Sequence, residues 1–449
     1  MTLNTTAEQP LDFLAIGLGP HNLSLACMTE PLHEVRCLFL EKRPEFAWHA
    51  DLLIDGTTLQ NPFLADLVSM ADPTSPYSYL NYCKKQGRLY NYYIRENFYL
   101  SRKEYDAYCK WASQQLSNIR FSHDVREIWY DEAGELYVVS GLDIQSQRSF
   151  QFKARKLVIG IGNSPYIPAL CKIDNSGRLI HSSQYLRNKQ KLQAGKSITL
   201  VGSGQSGAEI YYDLLQDIGK YDYQLNWVTR SPRFFQMETA KLTLEIITPE
   251  YIDHFFSLEE SVKQRVIHNQ KSIYNGINQH LINQIYEYLD EYRDVVQAKT
   301  RLLANLSLSQ CTFSQERQAF DLQFEHREVD ACYQHSTDSL ILATGYEYQV
   351  PDFIEGIRDR LRWDEQGRYD QARNYSVDHA GNQVFIQNAG FHSHGLTNPD
   401  LGLACHQNGY LLREITGHEY YPLEDKTTFQ DFLPPADSAF VRLEQRERA

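Results

Sequence analysis

The stretch GLGPHNLSLA, residues 17–26, decides the reading of this chain. It follows the apolar run Phe13–Ile16, which suits a buried parallel strand, and it runs into a segment with helix character. Strand, glycine turn and helix together form the setting in which a GxGxx(G) pattern binds a dinucleotide. Gly17 makes the tight turn. Gly19 lets the backbone approach a pyrophosphate, and Pro20 opens the helix whose free N–H groups receive it. Asn22 stands where a third glycine is expected; its side chain can add a donor where glycine adds only close packing. The next strand, in VRCLFLEKR, ends at Glu41, 24 residues after Gly17. That is close to the roughly 20-residue spacing of an acid that binds an adenosine ribose. FAD or NAD fits this turn, although a glycine turn that merely packs a helix shows the same pattern.

A second turn shifts the balance. KSITLVGSGQSGAEIYYDLL, residues 196–215, is again strand, turn and helix, with Gly202, Gly204 and Gly207 at full GxGxxG spacing. Gln205, Ser206 and Glu209 belong to the same fingerprint. The strand after it leads to Arg230 and Arg233 instead of an acid. Arginines there can pair with a 2′-phosphate, which favours NADP; otherwise they are solvated loop charge. One acid-tipped and one arginine-tipped site imply FAD reduced by NADPH.

The predicted fold class is α/β: two Rossmann-like dinucleotide-binding domains, for FAD and NADPH, with a small, mostly helical substrate-side insert. KLVIGIGNSPYIP (156–168) reads as the outward crossing between them. LILATGYEY (340–348), with Thr344, Gly345 and Tyr346, reads as the return. The expected boundaries are 1–195 for the first part of the FAD domain and 196–340 for the NADPH domain, with the insert at 236–300. Residues 341–449 form the return and a C-terminal substrate-side segment. In the insert, Leu281, Ile285 and Leu289 share one helical face and read as core packing. PPADSAF, beginning at Pro434, reads as a terminal tail.

The bulk properties narrow the function. The chain is 42% apolar and 22% charged, ordinary for a globular protein. Its net charge of −13 argues against nucleic acid as a partner. No two of the eight cysteines lie at CxxC spacing, so no zinc ribbon or redox-active disulfide motif is expected. Scattered cysteines and an N-terminus without a basic region and apolar core suggest the cytoplasm. No apolar run reaches about 18 residues, so no membrane span is expected. No metal site is expected.

With these residues in hand, the chain resembles the lysine and ornithine N-monooxygenases, the N-hydroxylating flavoproteins of siderophore biosynthesis. The resemblance covers nearly the whole chain. It rests on GLGPHNLSLA, on FAWHADLLIDGTTLQNPFLADLVSMADPTSPYSYLNY (46–82), on FYLSRKEYDAYCKWA (98–112), VGSGQSGAE, ATGY and HSHGLTNPDLGLA (392–404). The block 46–82 is far more specific than either glycine turn. The family's first turn reads GxGPxN, so Asn22 is typical of it. The resemblance implies hydride transfer from NADPH to FAD, capture of O2 as a C4a-hydroperoxide, and transfer of its distal oxygen to a neutral primary amine. By motif match it implies that Trp48, His49, Gln60 and Arg102 lie on the FAD side, with Gln60 near the reactive flavin edge.

The departures from the family indicate the amine. Its amino-acid hydroxylases read FLKDL, where the lysine pairs with the substrate carboxylate; this chain has Ala65 there. Leu244 aligns with a substrate-contacting asparagine, and Gly402 with a serine near the amino-acid head. A buried methyl cannot neutralise a carboxylate. The substrate implied is a diamine, putrescine or cadaverine, and the block 63–82 is similar to that of the diamine-hydroxylating branch. Asp400 could meet the far ammonium, or it is a solvated turn-former. Asn275 is a second candidate for that contact and, with Gln60, an expected catalytic-side residue; it suits equally a turn before Gly276.

Histamine in the same fold, or lysine or ornithine themselves, are the nearest alternatives. A Baeyer–Villiger or sulfur-oxidising enzyme is disfavoured by the block 62–76, and a disulfide reductase by the lack of CxxC. A flavin redox sensor or NADPH oxidase is the reading from another class. The resemblance also implies a homo-oligomer, a tetramer.

Overall fold

The computed structural model describes residues 9–173, 176–424, 426–440 and 443. Strand β1, Leu11–Ile16, is central to the first sheet. It pairs in parallel with β2, Cys37–Leu40, on one side and with the long strand Arg148–Ile159 on the other. That long strand has two neighbours on its far edge. Its first half pairs antiparallel with Leu136–Asp143, and its last three residues pair in parallel with Val384–Ile386, from the chain's return. Helix α1, Pro20–Thr29, packs against the helix Ala404–Thr416. All ten residues of α1 are buried, which explains why it shows little amphipathic pattern.

The second sheet is wholly parallel, in the order Leu179–His181, Ser339–Leu342, Ser197–Val201, Gln224–Val228, Thr300–Leu303. The apolar runs of its inner strands are buried, as parallel strands require, while the edge strand Thr300–Leu303 is largely exposed. Between the two sheets the chain crosses twice. The crossings, Ser164–Pro165 and Tyr346–Glu347, pair antiparallel with each other. The domain boundary therefore lies at these crossings and not at residue 195, because Leu179–His181 already belongs to the second sheet. That strand has three residues and no glycine turn after it, so nothing in its sequence marks it.

A three-stranded antiparallel meander, Leu306–Ser314, Ala319–His326 and Cys332–Thr337, lies ahead of the return and was not anticipated. The insert is helical from Lys241 to Lys299. It faces two ways. Leu281 and Ile285 are buried with the second domain's core, and Leu289 packs against it. Helices Pro249–Phe256 and Glu260–Asn269 instead pack on Phe391–His394 and Gly395–Thr397, in the returning segment. Arg373 bonds Asp253 across that seam at 2.6 Å.

Candidate active site

The first turn is built to face a ligand. Gly17 has φ +84°, and a Cβ there would lie 2.6 Å from the Gly160 carbonyl oxygen. Gly19 caps α1 with extended backbone, no side chain caps the helix, and a Cβ at Gly19 would meet nothing within 4 Å. Uncapped N–H groups beside open space suit a pyrophosphate. Glu41 sits at the tip of β2; its carboxylate accepts from Leu18 N at 2.8 Å and Arg43 N at 2.9 Å. Each oxygen retains a lone pair for a ribose hydroxyl.

Asn22 corrects an expectation. Its amide nitrogen donates to the carbonyls of Gly17 (2.7 Å) and Ile16 (3.3 Å), bracing the turn from behind. Only its buried Oδ1 is unpartnered, so what it offers is an acceptor and not a donor.

The second turn repeats the design. Gly202 has φ +117°, with Ala343 O 2.2 Å from a would-be Cβ, and Gly207 packs on Gly202. Gly204 caps the helix Gln205–Asp217 without a side-chain bond and is open beyond its Cα. Ser206 lies in the first turn of that helix. Arg230 and Arg233 follow the neighbouring strand and are exposed. Among the described residues neither is ion-paired; Arg233 stacks on Phe235 at 4.5 Å. The geometry of both turns fits the dinucleotides expected from the sequence.

Gln205, Glu209 and Arg102 are already engaged with protein. Arg102 begins helix α4, Arg102–Ser113, after α2 (Tyr79–Lys85) and α3 (Leu89–Arg95). Its guanidinium meets Glu209 at 3.0 Å, a pair with side-chain exposures of 13% and 2%. The Gln205 amide donates to Glu209 at 2.9 Å and accepts from Asn278 N at 2.9 Å. An uninterrupted polar chain thus ties the first domain to the second domain and the insert. Burial raises the Glu209 carboxyl, and Arg102 opposes that rise. The sequence places these residues near a cofactor, but nothing in it announces the pairing.

Trp48 and His49 lie where the domains meet. Trp48 N donates to Asp106, and its ring lies edge-on to Tyr105. His49 has φ +49° and stacks edge-on to Tyr346. Burial, then Arg102 and Arg43, lower its pKa to about 4, so it is a neutral ring at pH 7. Thr344 donates to Tyr166 O, and Gly345 O accepts from His181 Nε2. The first bond holds the return crossing to the outward one, and the second holds it to the second sheet.

The block 58–79 folds around two devices. Strand β3, Thr58–Pro62, pairs with β4, Tyr99–Ser101, only at its ends: Thr58 opposite Ser101, Pro62 opposite Tyr99. Residues 59–61 arch out as a bulge, the kind of irregularity that re-aims side chains. Pro62 has no N–H to give the ladder. On this arch Gln60 has a buried Nε2 without a partner, and Asn61 Nδ2 reaches Asp400 Oδ1 at 3.0 Å. The second device is Asp66. It accepts from the backbone of Val68, Ser69 and Tyr79 and from the Ser69 hydroxyl, folding the loop back on itself.

Three of the expected substrate residues come together. Ala65 is buried. A Cβ on Gly402 would lie 3.9 Å from Ala65 Cβ and 2.9 Å from Asp400 Oδ1. Asp400 caps the short turn Leu401–Leu403 through Gly402 N at 2.7 Å. It is partly buried and has no cationic partner among the described residues. Burial raises its carboxyl, and the bonds from Gly402 and Asn61 oppose that. The sequence favoured a solvated loop acid or a local turn-former here; Asp400 does form the turn, and it also accepts a bond from Asn61, 339 residues away. Asn61 was missed, although it adjoins Gln60 in the same motif.

Leu244 and Asn275 do not join this group. Leu244 is 38% exposed at the end of the short helix Lys241–Leu244, in none of the buried clusters. Its helix is engaged by the C-terminal segment through Leu242 and Glu245. Asn275 is exposed, ending the short helix Lys271–Tyr274. The Gly276 after it is pressed against Met237 backbone, so the turn reading applies.

Comparison with known proteins agrees with this geometry. Residues 9–348 match the family model L-lysine 6-monooxygenase/L-ornithine 5-monooxygenase. An alcaligin biosynthesis enzyme of Bordetella pertussis is 51% identical over 95% of this chain and 92% of its own. A putrescine N-hydroxylase of Shewanella oneidensis is 46% identical over 94% and 84%. The FAD-bound crystal structure of the cadaverine monooxygenase from the desferrioxamine pathway of Erwinia amylovora superposes with a TM-score of 0.92. It is 47% identical, over 96% of this chain and all of that one. The chain belongs to the L-lysine 6-monooxygenase/L-ornithine 5-monooxygenase family of flavin-dependent enzymes.

Proposed function

We propose that the chain hydroxylates one amine of a short aliphatic diamine, putrescine or cadaverine, using FAD, NADPH and O2, for siderophore biosynthesis. The balance is R–NH2 + O2 + NADPH + H+ giving R–NHOH + NADP+ + H2O. The observation that carries this reading is the convergence of Ala65, Gly402 and the unneutralised Asp400. Where an amino-acid hydroxylase needs a cation for a carboxylate, this site offers a carboxylate for a cation. Relatives that act on putrescine and cadaverine support it.

FAD, when bound and reduced, supplies the activated oxygen; the protein's part is placement and exclusion of water. Gly17, Gly19, Pro20 and Glu41 would hold the FAD phosphates and ribose. Gly202, Gly204, Ser206 and Gly207 would hold the NADPH phosphates, and Arg230 and Arg233 its 2′-phosphate. Trp48, neutral His49 and the crossing Thr344–Tyr346 wall the space between. Gln60, whose amide nitrogen is buried without a partner, is assigned to the reacting end of the site. Asp400 takes the far ammonium. Ala65 and Gly402 leave room beside that carboxylate, and exclusion of water from the near amine favours its neutral, nucleophilic form.

The same reading includes self-association. Tyr90, Tyr93, Ile94 and Phe98, on and beside α3, are 63–80% exposed, a contiguous aromatic face that a second copy would cover. It also includes a cytoplasmic location, supported by eight unpaired cysteines and the need for NADPH. No described helix is long and apolar enough to cross a membrane.

The test is hydroxylamine formed per NADPH oxidised with putrescine, cadaverine, histamine, ornithine and lysine, with peroxide measured in parallel. Near one-to-one coupling with a diamine is expected. Coupling with histamine alone replaces the substrate, and peroxide alone across the panel removes the monooxygenase reading.

A further inference from the structure

Asn61 stands on the β3 arch one residue beyond Gln60, and its only described side-chain bond is to Asp400. We propose that Asn61 is a positioning residue for diamine selection: it fixes the Asp400 carboxylate so that one oxygen is left to receive the distal ammonium. This rests on the diamine reading above.

Both donors that reach Asp400, Asn61 Nδ2 and Gly402 N, fall on Oδ1. Oδ2 receives no bond among the described residues. An ionised carboxylate accepts at about four lone-pair sites, so Oδ2 has full capacity for an ammonium. Gly402 keeps the space clear, since any Cβ there would press on Oδ1 at 2.9 Å. Gly402 N holds the carboxylate from within its own turn, and Asn61 holds it from another segment of the molecule. Without Asn61 the carboxylate can rotate about its own side-chain torsions, and Oδ2 loses its fixed direction.

The residue type matters as much as the bond. An amide donates without carrying charge. A lysine or arginine at position 61 would bond Asp400 as well, but would neutralise it and cancel its attraction for a cationic substrate. The amide also supports the ionised form against the burial that raises Asp400.

The bulge is what allows this arrangement. With regular pairing between Thr58 and Pro62, residues 59–61 would be held in the ladder with β4. The arch frees Asn61 to reach a loop 339 residues away. It also places Gln60 and Asn61, the residue that holds the anchor, next to each other on one segment.

The experiment compares Asn61→Ala, Asn61→Leu, Asp400→Asn and the double variant Asn61→Ala/Asp400→Asn. Substrates are putrescine and cadaverine, each against its monoamine, 1-aminobutane or 1-aminopentane. Bound FAD is checked by absorbance. A bond to a charged group is worth about one to two factors of ten. Asn61→Ala is therefore expected to raise the diamine KM about tenfold or more, with kcat within about threefold. Monoamine kcat/KM should fall by much less than diamine kcat/KM, and the double variant should be no worse than Asp400→Asn. Equal losses on diamine and monoamine would make Asn61 merely structural and overturn the proposal. So would no loss on either. Asn61→Leu, of similar volume, decides the matter if the alanine variant folds poorly. If Asp400→Asn leaves the diamine-to-monoamine ratio unchanged, the diamine anchor itself is wrong. If that ratio falls and Asn61→Ala does not move it, only the role of Asn61 is wrong.

Discussion

Arg102 shows how a residue's meaning changes between sequence and structure. In the sequence it is a flavin-side arginine by motif; in the structure it neutralises Glu209 across the domain seam. Removing one member of a buried ion pair strands the other charge, at a typical cost of about 3–5 kcal/mol. Arg102→Ala should therefore lower the melting temperature sharply. Arg102→Met combined with Glu209→Leu should recover most of that loss in the same thermal scan. A melting temperature unmoved by Arg102→Ala would show that the pair does not bear on stability. Asn22 and Gln205 carry the same lesson. Their positions in the glycine motifs were legible, yet their side chains turn to the protein, bracing a turn and holding the insert. Side chains with several donors and acceptors can be located by a motif but not aimed by one. Asp400 was placed near the right neighbours, but its bond to Asn61 spans 339 residues, beyond the reach of any local pattern.

At the scale of elements, the two glycine turns were the most legible feature, because positive φ and close backbone approach leave few residue choices. The bulge in β3 and the short strand Leu179–His181 were not, since neither demands a distinctive residue. Only PPADSAF, from Pro434, was read as a tail; the residues just before it, 427–432, form a strap that nothing in the sequence announces. Thr427 and Thr428 donate to Glu250, while Phe429 and Gln430 donate to Glu245, both on the insert. Phe432 packs on Tyr251 and His254. Burial opposes it, but the bonds from Thr427 and Thr428 bring the Glu250 pKa from its ordinary 4.5 down to about 2. A carboxyl lowered on folding contributes stability above its unfolded pKa and loses it as pH falls. The contribution of Glu250 should be complete above about pH 4.5 and gone only near pH 2. Glu250→Ala should release the strap at neutral pH, read as faster tryptic cleavage after Lys426. Equal cleavage rates in wild type and variant would mean the strap is held by other contacts.

At the scale of the molecule, the α/β class and the two-domain plan followed from two strand–turn–helix units and two crossings. The antiparallel meander 306–337 did not, because its alternation carries no glycine turn or motif to announce it. The exposed aromatic face at α3 is also a whole-molecule property. Its side chains come from residues 90–98, and none of the described residues covers them. Sedimentation should show an oligomer. Tyr93→Glu with Ile94→Glu should shift it toward smaller species while FAD binding persists. A monomeric wild type would contradict that expectation.

The central claim is that this site recognises a cation where its amino-acid relatives recognise a carboxylate. Cadaverine differs from lysine, and putrescine from ornithine, by that one carboxylate. The most direct measurement is kcat/KM for hydroxylamine formation within each matched pair. The structure predicts a diamine preference of about a hundredfold or more, because an amino acid would bring its carboxylate beside Asp400 with no cation to meet it. Equal rates within the pairs, or preference for the amino acid, would contradict it.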